Sequence, residues 1–491
     1  MIIVLLQYNV TNFKSIGHDI EFSMLPTRAD VDEKYVKKIQ TKIGPCKILK
    51  RAAFYGPNAS GKSSFIESID FARDFIVEGI ASGKGIGVNQ FKGKFENLDQ
   101  QTVFQFTFLA EDGEIYDYGF SLDTRQVYEE WLMVMGQDGN FVPLFERETN
   151  DKEKTIIEIA DTFDRKNSSN RRLAEVLKET IQEKQKNQLF LYKLYDNGVK
   201  RVDPVMEWFK SIQVIFPSTK VRFLPIRISQ DMDFQKFISD SLSKMDTGVV
   251  QVSAVSDELD FHDFAEKAHL PKELIQDIEE KKQGMFSIGG KYYIFGEKQE
   301  NRMTLIQIKF EHRLNSKSVE FDLEDESDGT QRLLDLLPML FAMDKKTRSI
   351  YLVDEIDRSL HTKLSKYLLK LFLENSNDAN SQIIYTAHDV NLIDLDNFAQ
   401  DEIWFVEKKL TGETTIKPMS DFDVKSDQDV LKAYLNGRFG AVPVIKGCNG
   451  CSLFIEEVHH LLTKTLIETK DQLHLKLFFC HVKEVSRKKN I

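Results

Sequence analysis

Between an apolar run, Ala52-Ala53-Phe54-Tyr55, and an amphipathic stretch at about 61–79, the chain reads Gly56-Pro57-Asn58-Ala59-Ser60-Gly61-Lys62-Ser63. A G-x-x-x-x-G-K-[ST] run set between a strand and a helix leaves few folds open. Gly56 and Gly61 let the backbone curl, so that successive N–H groups converge on one anion at the positive end of a helix. Lys62 brings a compact charge to the β/γ-phosphates, and the Ser63 hydroxyl suits Mg2+. The residues expected to hold ATP are therefore Gly56, Asn58, Ala59, Ser60, Gly61, Lys62, Ser63 and Ser64.

A second constraint is Ser349-Ile350-Tyr351-Leu352-Val353-Asp354-Glu355, an apolar strand that ends in two carboxylates. In phosphate-loop folds such carboxylates sit beside the loop. Asp354 is the expected Mg2+ partner, and Glu355, one residue on, is the expected general base toward water. On its own, an apolar run ending in two acids only marks a strand end; downstream of a phosphate loop it points to chemistry. No N-K-x-D guanine-reading run occurs, which disfavours GTP.

About 20 residues before the acidic strand, Glu326-Ser327-Asp328-Gly329-Thr330-Gln331-Arg332 precedes an apolar-periodic helix. Ser327 or Asp328 can simply cap that helix. Ser327 and Gly329 can also form an anion site at its N-terminus; their place ahead of the acidic strand resembles that of the signature motif of ABC-type ATPases, which in that class closes over nucleotide held by the other subunit. Asp328 departs from such signatures, which carry glycine there, and its charge must point away from phosphate. Past the next strand, Gln382–Thr386, comes Ala387-His388-Asp389, where His388 is placed to reach a γ-phosphate. A lone histidine is more often structural; the order and spacing of these motifs favour the catalytic role.

Strand pattern fills the first third, including TVFQFTFLA and IYDYGFSL joined at Asp112-Gly113, a two-residue turn signal. Residues 27–45 read as an insertion or flap. Charged helical runs dominate about 150–285, and strands alternating with helices return after 290. The expected organisation is 1–150, the first half of the head with its β subdomain; 151–285, an inserted mainly helical domain; 286–445, the second half; and 446–491, an extension.

With these motifs in this order, the chain resembles the AAA15-type ATPases, ABC-like ATP-binding proteins of abortive-infection and phage-defence loci related to RecF, SMC and OLD ATPases. The likeness rests on Asn12-Phe13-Lys14-Ser15-Ile16, ESDGTQR at 326–332, LVDEIDRSLH at 352–361, TAHDVNLID at 386–394, DEIWFVEK at 401–408 and GRFGAVP at 437–443. It spans roughly 1–445 and is weaker over 150–285. The resemblance implies an α/β fold: an ABC/SMC-like P-loop ATPase head with a mixed sheet, an antiparallel β subdomain and the helical insertion. It implies Glu355 as hydrolytic base, and Asp357 to His361 as a loop touching the partner subunit. It also implies a homodimer or higher homo-oligomer closed through ATP, gating a separate effector such as a Toprim-type nuclease. Gln90 is the candidate Q-loop residue. A RecF/SMC-like DNA-maintenance ATPase stays open as the rival, and with it nucleic acid as a partner. An ABC transporter subunit fits the motifs alone, but the β-rich first third and the long insertion argue against it.

Composition narrows the rest. The chain has 491 residues and a formal net charge of -11, so no global basic field draws in nucleic acid. Four cysteines, Cys46, Cys448, Cys451 and Cys480, are too few and too unevenly spaced for a disulfide framework. With no membrane-length apolar run and no signal-peptide pattern, a soluble cytoplasmic protein is expected. Cys448-x-x-Cys451 with His459, His460, Cys480 and His481 could bind zinc, but lacks a tightly spaced second pair; a free-cysteine helical extension is favoured.

Overall fold

The order of elements follows the sequence pattern closely outside 151–285. Strands β1 (Val4–Thr11) and β2 (Ile20–Ser23) precede a hairpin, β3 (Val36–Thr41) and β4 (Gly44–Leu49); β5 (Arg51–Tyr55) then feeds helix α1 (Lys62–Glu78). Five strands succeed one another: β6 (Thr102–Leu109), β7 (Ile115–Leu122), β8 (Val127–Met135), β9 (Phe141–Thr149) and β10 (Thr155–Ile159). Then come α2 (Ser169–Lys184), α3 (Phe190–Asp196), α4 (Asp203–Lys210), β11 (Ile212–Ile215), α5 (Leu224–Gln230), α6 (Met232–Lys244), β12 (Val249–Asp260) and α7 (Phe261–Lys267). Strands β13 (Gly284–Ile288), β14 (Lys291–Phe295), β15 (Arg302–Leu314) and β16 (Lys317–Asp322) lead to α8 (Asp328–Asp344) and β17 (Ile350–Val353). The last elements are α9 (Thr362–Ala379), β18 (Gln382–Ala387), β19 (Ile403–Lys408) and β20 (Thr414–Pro418). This computed structural model describes residues 3–439 except 28–30, 82–83, 94–100, 151–153, 165–167, 222, 274, 277–283, 289–290, 296–301, 316, 380, 394, 396–397, 423–429, 431 and 435. The expectations for 446–491, zinc included, lie outside the described residues.

The central sheet runs β11-β17-β18-β5-β19-β20. Its first five strands are parallel, and β20 closes one edge antiparallel to β19. A parallel sheet must be covered on both faces, which is why β5, β17 and β18 are mainly apolar and buried at every position. Ala52, Phe54, Leu352 and Ile384 pack on one side with Phe65 and Ile69 of α1; Ala53, Tyr55, Val353 and Tyr385 pack on the other with Leu333, Leu337 and Phe341 of α8. The fold is therefore α/β with a mixed sheet.

The antiparallel β subdomain is a seven-stranded sheet, β10-β9-β8-β7-β6-β1-β2. Gln382 of β18 links it to the central sheet: its Oε1 accepts from Leu5 N (2.7 Å), and its Nε2 donates to the carbonyls of Leu5 (3.2 Å) and Leu49 (3.1 Å). The β6–β7 connection is not the two-residue turn that Asp112-Gly113 suggests. Ala110 and Glu114 close a three-residue loop, with Gly113 at φ 82°, the left-handed position of a longer hairpin turn. The stretch 27–45, expected as an insertion or flap, holds β3 and the start of β4, a two-stranded sheet of its own.

The segment 151–285 is not a separate helical insertion. β10 belongs to the seven-stranded sheet, β11 is the first strand of the central sheet beside β17, and β12 pairs β15 over almost its whole length. Helices α2 to α4 bury Leu177, Leu194, Trp208 and Phe209 in the same core as β6 and β7, and Trp208 Nε1 donates to Val4 O at 3.2 Å. Residues Met1–Val442 form one compact unit. No helix among the described residues is long and apolar enough to cross a membrane.

Candidate functional site

Three neighbouring parallel strands, β17, β18 and β5, end at the same edge of the central sheet, and each ends in a motif singled out above. Ligands of open α/β sheets bind outside these carboxyl ends. The fold thus brings together Lys62, Asp354, Glu355 and His388 from positions up to 326 residues apart.

The phosphate loop is held in its curl by packing. A Cβ on Gly56 would stand 2.3 Å from the carbonyl oxygen of Val406 on β19. Gly61 sits at φ 110°, and its Cβ would stand 2.0 Å from Thr414 Oγ1 on β20. Glycine is forced at both positions. Asn58 and Ala59 are exposed at the tip, and Ala59 takes φ 63°. Behind the loop lies a set of hydroxyls: Thr414 Oγ1 lies 2.8 Å from both Ser60 O and Ser15 Oγ, and Ser15 donates to Ser64 Oγ at 3.0 Å. Ser63, half-buried, opens α1 beside Lys62.

Lys62 is 5% exposed, its ammonium folded onto the carbonyls of Gly56 (2.6 Å) and Pro57 (3.2 Å). It also approaches His388 Nδ1 at 3.4 Å, and His388 Nε2 lies 3.4 Å from Glu355 Oε1. An ammonium can only donate, so this geometry sets Nδ1 as acceptor and places the imidazole hydrogen on Nε2, toward Glu355. Burial pulls the Lys62 pKa down from 10.5 to about 8, opposed by the charges of Asp354, Glu355 and Asp357. A desolvated cation facing a water-accessible loop is a strong anion receptor.

Asp354 is buried at the end of β17. Its Oδ1 accepts from Thr386 Oγ1 at 2.6 Å, and its Oδ2 has no hydrogen-bond partner among the described residues. Together with the Ser63 hydroxyl it offers the hard oxygen donors that Mg2+ prefers. Glu355 adopts φ 49°, unusual for a residue with a side chain. The turn is pinned from three sides. Glu355 N donates to Thr386 Oγ1 (2.8 Å), Ile356 N donates to Thr386 O (3.0 Å), and Arg332 Nη2 donates to the carbonyls of Asp354 (2.9 Å) and Glu355 (3.1 Å). Asp357 Oδ2 accepts from the backbone N–H of both His388 (2.8 Å) and Asp389 (2.6 Å).

Ser327 and Gly329 stand apart from this cluster. Ser327 is exposed and caps α8 by accepting from Thr330 N at 3.2 Å; a Cβ on Gly329 would meet Ser359 O at 2.9 Å. Asp328 is exposed too. Among the described residues, no hydrogen bond or ion pair joins Ser327 or Gly329 to the Lys62–His388–Glu355 chain. Gln90 is half-buried, and the carbonyl of its neighbour Asn89 accepts from Lys14 N at 2.7 Å.

Thr386, Arg332, Thr414 and the capping role of Asp357 were not singled out by sequence reasoning. Thr386 could have been: it is the hydroxyl-bearing residue near the end of the apolar strand Gln382–Ala387. Thr414 gives no such signal, because its partners are remote in the chain.

A family model described as "AAA domain, putative AbiEii toxin, Type IV TA system" matches residues 51–394. No curated protein is a significant match. Among solved structures, the SMC head domain from Thermotoga maritima is similar at 14% identity and a TM-score of 0.37, covering 86% of this chain and 99% of that one. The recombination mediator protein RecF bound to ATP, of the RecFOR pathway, gives 14% identity and 0.35 over 85% and 99%. An Smc head domain with a coiled coil and joint derived from Pyrococcus yayanosii gives 12% and 0.39 over 88% and 100%. At such scores the likeness adds nothing to the strand order and the family match.

Proposed function

Because the chain belongs to the AAA-domain family whose model spans residues 51–394, we propose that it binds Mg-ATP between two copies of itself and hydrolyses it slowly as a switch. The observation that carries this reading is the run from Lys62 Nζ through His388 to Glu355 Oε1, with 3.4 Å at each step, across the ends of three adjacent strands. Asn58, Ala59, Ser60 and Gly61 offer backbone N–H groups to the phosphates, beside the Lys62 charge. Ser63 and Asp354 would hold Mg2+, which when bound neutralises charge on the β- and γ-phosphates. Glu355 takes the proton of the attacking water, and His388 donates from Nε2 toward the γ-phosphate or the base. Ser327, exposed at the N-terminus of α8, and the half-buried Gly329 serve the nucleotide of the second copy rather than their own.

In this reading the ATP-closed pair is the regulatory part of an anti-phage, abortive-infection system and gates a separate effector such as a Toprim-type nuclease. The motif set of the AAA15-type proteins and the acidic chain support it; no basic field advertises DNA. The test is a pull-down from the native host with ATP and Mg2+ using Glu355→Gln, which should hold the closed state and retain the effector, against Lys62→Ala, which should lose it. Equal recovery with both variants would reject gating. DNA-stimulated turnover with a steep salt dependence would favour a RecF/SMC-like maintenance role instead.

A further inference from the structure

Behind the strand ends lies a buried polar cluster that none of the motifs covers. Tyr55 closes β5 and Tyr385 lies on β18; Tyr55 pairs with Ala387, two residues beyond Tyr385, so both phenol rings project from the same face of neighbouring strands. They are 1% and 0% exposed. The Tyr55 hydroxyl, the Tyr385 hydroxyl and Asp357 Oδ1 are all buried, and none has a partner at full hydrogen-bond distance and angle among the described residues, although the two hydroxyls lie close enough to interact. Asp357 reaches this corner too, because it bonds the N–H groups of His388 and Asp389 just past Ala387, the residue that Tyr55 pairs with; burial first, then Tyr385 and the Asp357 charge, push the Tyr55 hydroxyl well above its ordinary pKa. Burial likewise raises Tyr385, opposed by the Arg51 charge and by Tyr55, with the Glu402 and Asp357 charges adding smaller rises.

A buried polar atom left unpaired is destabilising, and three together ask for a common partner. Two hydroxyls and a carboxylate oxygen are the two to four polar neighbours that hold an internal water. The opposite oxygen of Asp357 is already committed, to the N–H groups of His388 and Asp389. One carboxylate thus faces the reactive histidine loop on one side and the buried tyrosines on the other.

We propose that Asp357 is the positioning residue for His388, and that one internal water shared with the Tyr55 and Tyr385 hydroxyls anchors it from behind. The carboxylate never touches substrate. It fixes the backbone from which His388 reaches toward Lys62 and Glu355, and the water holds the carboxylate in that orientation. This rests on the proposed role of His388 in turnover, so the tests separate the two.

Hydrogen exchange on the nucleotide-free chain reads the positioning alone: in Asp357→Ala the His388 and Asp389 amides should exchange at least about tenfold faster, while Asp357→Asn, which keeps an accepting oxygen, should stay near wild type. In turnover, Asp357→Ala should lose about 10- to 100-fold in kcat with little change in KM for ATP, the range typical of losing a group that orients an active-site residue. In a His388→Ala background the same substitution should cost nothing further. A crystal structure should show one water within hydrogen-bond distance of the three oxygens. Unchanged amide exchange in Asp357→Ala, an equal added loss in the His388→Ala background, or tyrosines bonded directly to Asp357 with no water would each overturn the inference. Wild-type turnover by His388→Ala would instead reject the role of His388, leaving the exchange result to judge Asp357.

Discussion

ATP binding should take up a proton, and its affinity should fall at alkaline pH, because of where Lys62 sits. In the nucleotide-free chain, burial lowers the Lys62 ammonium from 10.5 to about 8. That depression corresponds to about 3 kcal/mol of cost for keeping the charge. Triphosphate beside the ammonium removes the cost by pairing it, so the bound pKa returns to the ordinary lysine range or above. The sign follows directly: below pH 8 the free chain already carries the proton and binding exchanges little. Between 8 and about 10.5 the free lysine is mostly neutral, and binding must recruit the proton. Proton uptake should be roughly 0.1 at pH 7 and roughly 0.9 at pH 9, with affinity falling about tenfold for each pH unit above 8. Calorimetry in two buffers of different ionisation enthalpy measures both quantities. Uptake below about 0.2 at pH 9, with constant affinity from pH 7.5 to 9.5, would show that Lys62 is not the desolvated receptor described here.

Thr386→Val keeps the side-chain shape but removes bonds to the Asp354 carboxylate (2.6 Å) and the Glu355 N–H (2.8 Å). Turnover should drop about 10- to 100-fold and need more Mg2+, while Thr386→Ser restores it in steady-state Mg2+ titrations. Gly61→Ala drives a Cβ to 2.0 Å from Thr414 Oγ1 at φ 110°. It should destabilise the chain by about 2–4 kcal/mol in thermal melts, with Thr414→Ala returning only the steric part because the backbone strain stays. Glu130 and Arg147 form a fully buried pair at 3.6 Å, and Glu130 also accepts from Phe190 N and Leu191 N. Glu130→Leu should cost about 3–5 kcal/mol in urea unfolding, and an unmoved midpoint would remove the pair from the account of how α3 is held.

The motifs were legible because each is local. The phosphate loop, the acids after β17 and the histidine after β18 are short runs whose spacing is itself the chemistry. Their convergence was legible only as an expectation, because it depends on β17 and β5 both flanking β18. The stretch 151–285 folds differently from its sequence pattern for a physical reason. Charged amphipathic helices such as α2 and α6 write a strong periodic signal, whereas β11 is four residues whose partner β17 lies far along the chain. A strand that short is defined by its neighbour, not by its own pattern. The supporting residues share this limit. Ser15 and Thr414 meet across 399 positions, and Arg332, which reads as one more cation after a helix cap, reaches the backbone of Asp354 and Glu355 only because α8 packs on that face of the sheet.

In the proposed reading the site completes only when Ser327 and Gly329 of a second copy close over the nucleotide. Sedimentation velocity of the Glu355→Gln chain with and without Mg-ATP tests it most directly, beside the same chain carrying Ser327→Arg. The expected result is a shift to twice the chain mass on adding Mg-ATP, abolished by Ser327→Arg while nucleotide binding persists. A Glu355→Gln chain that stays at single-chain mass when saturated with Mg-ATP, or a dimer indifferent to Ser327→Arg, would contradict it.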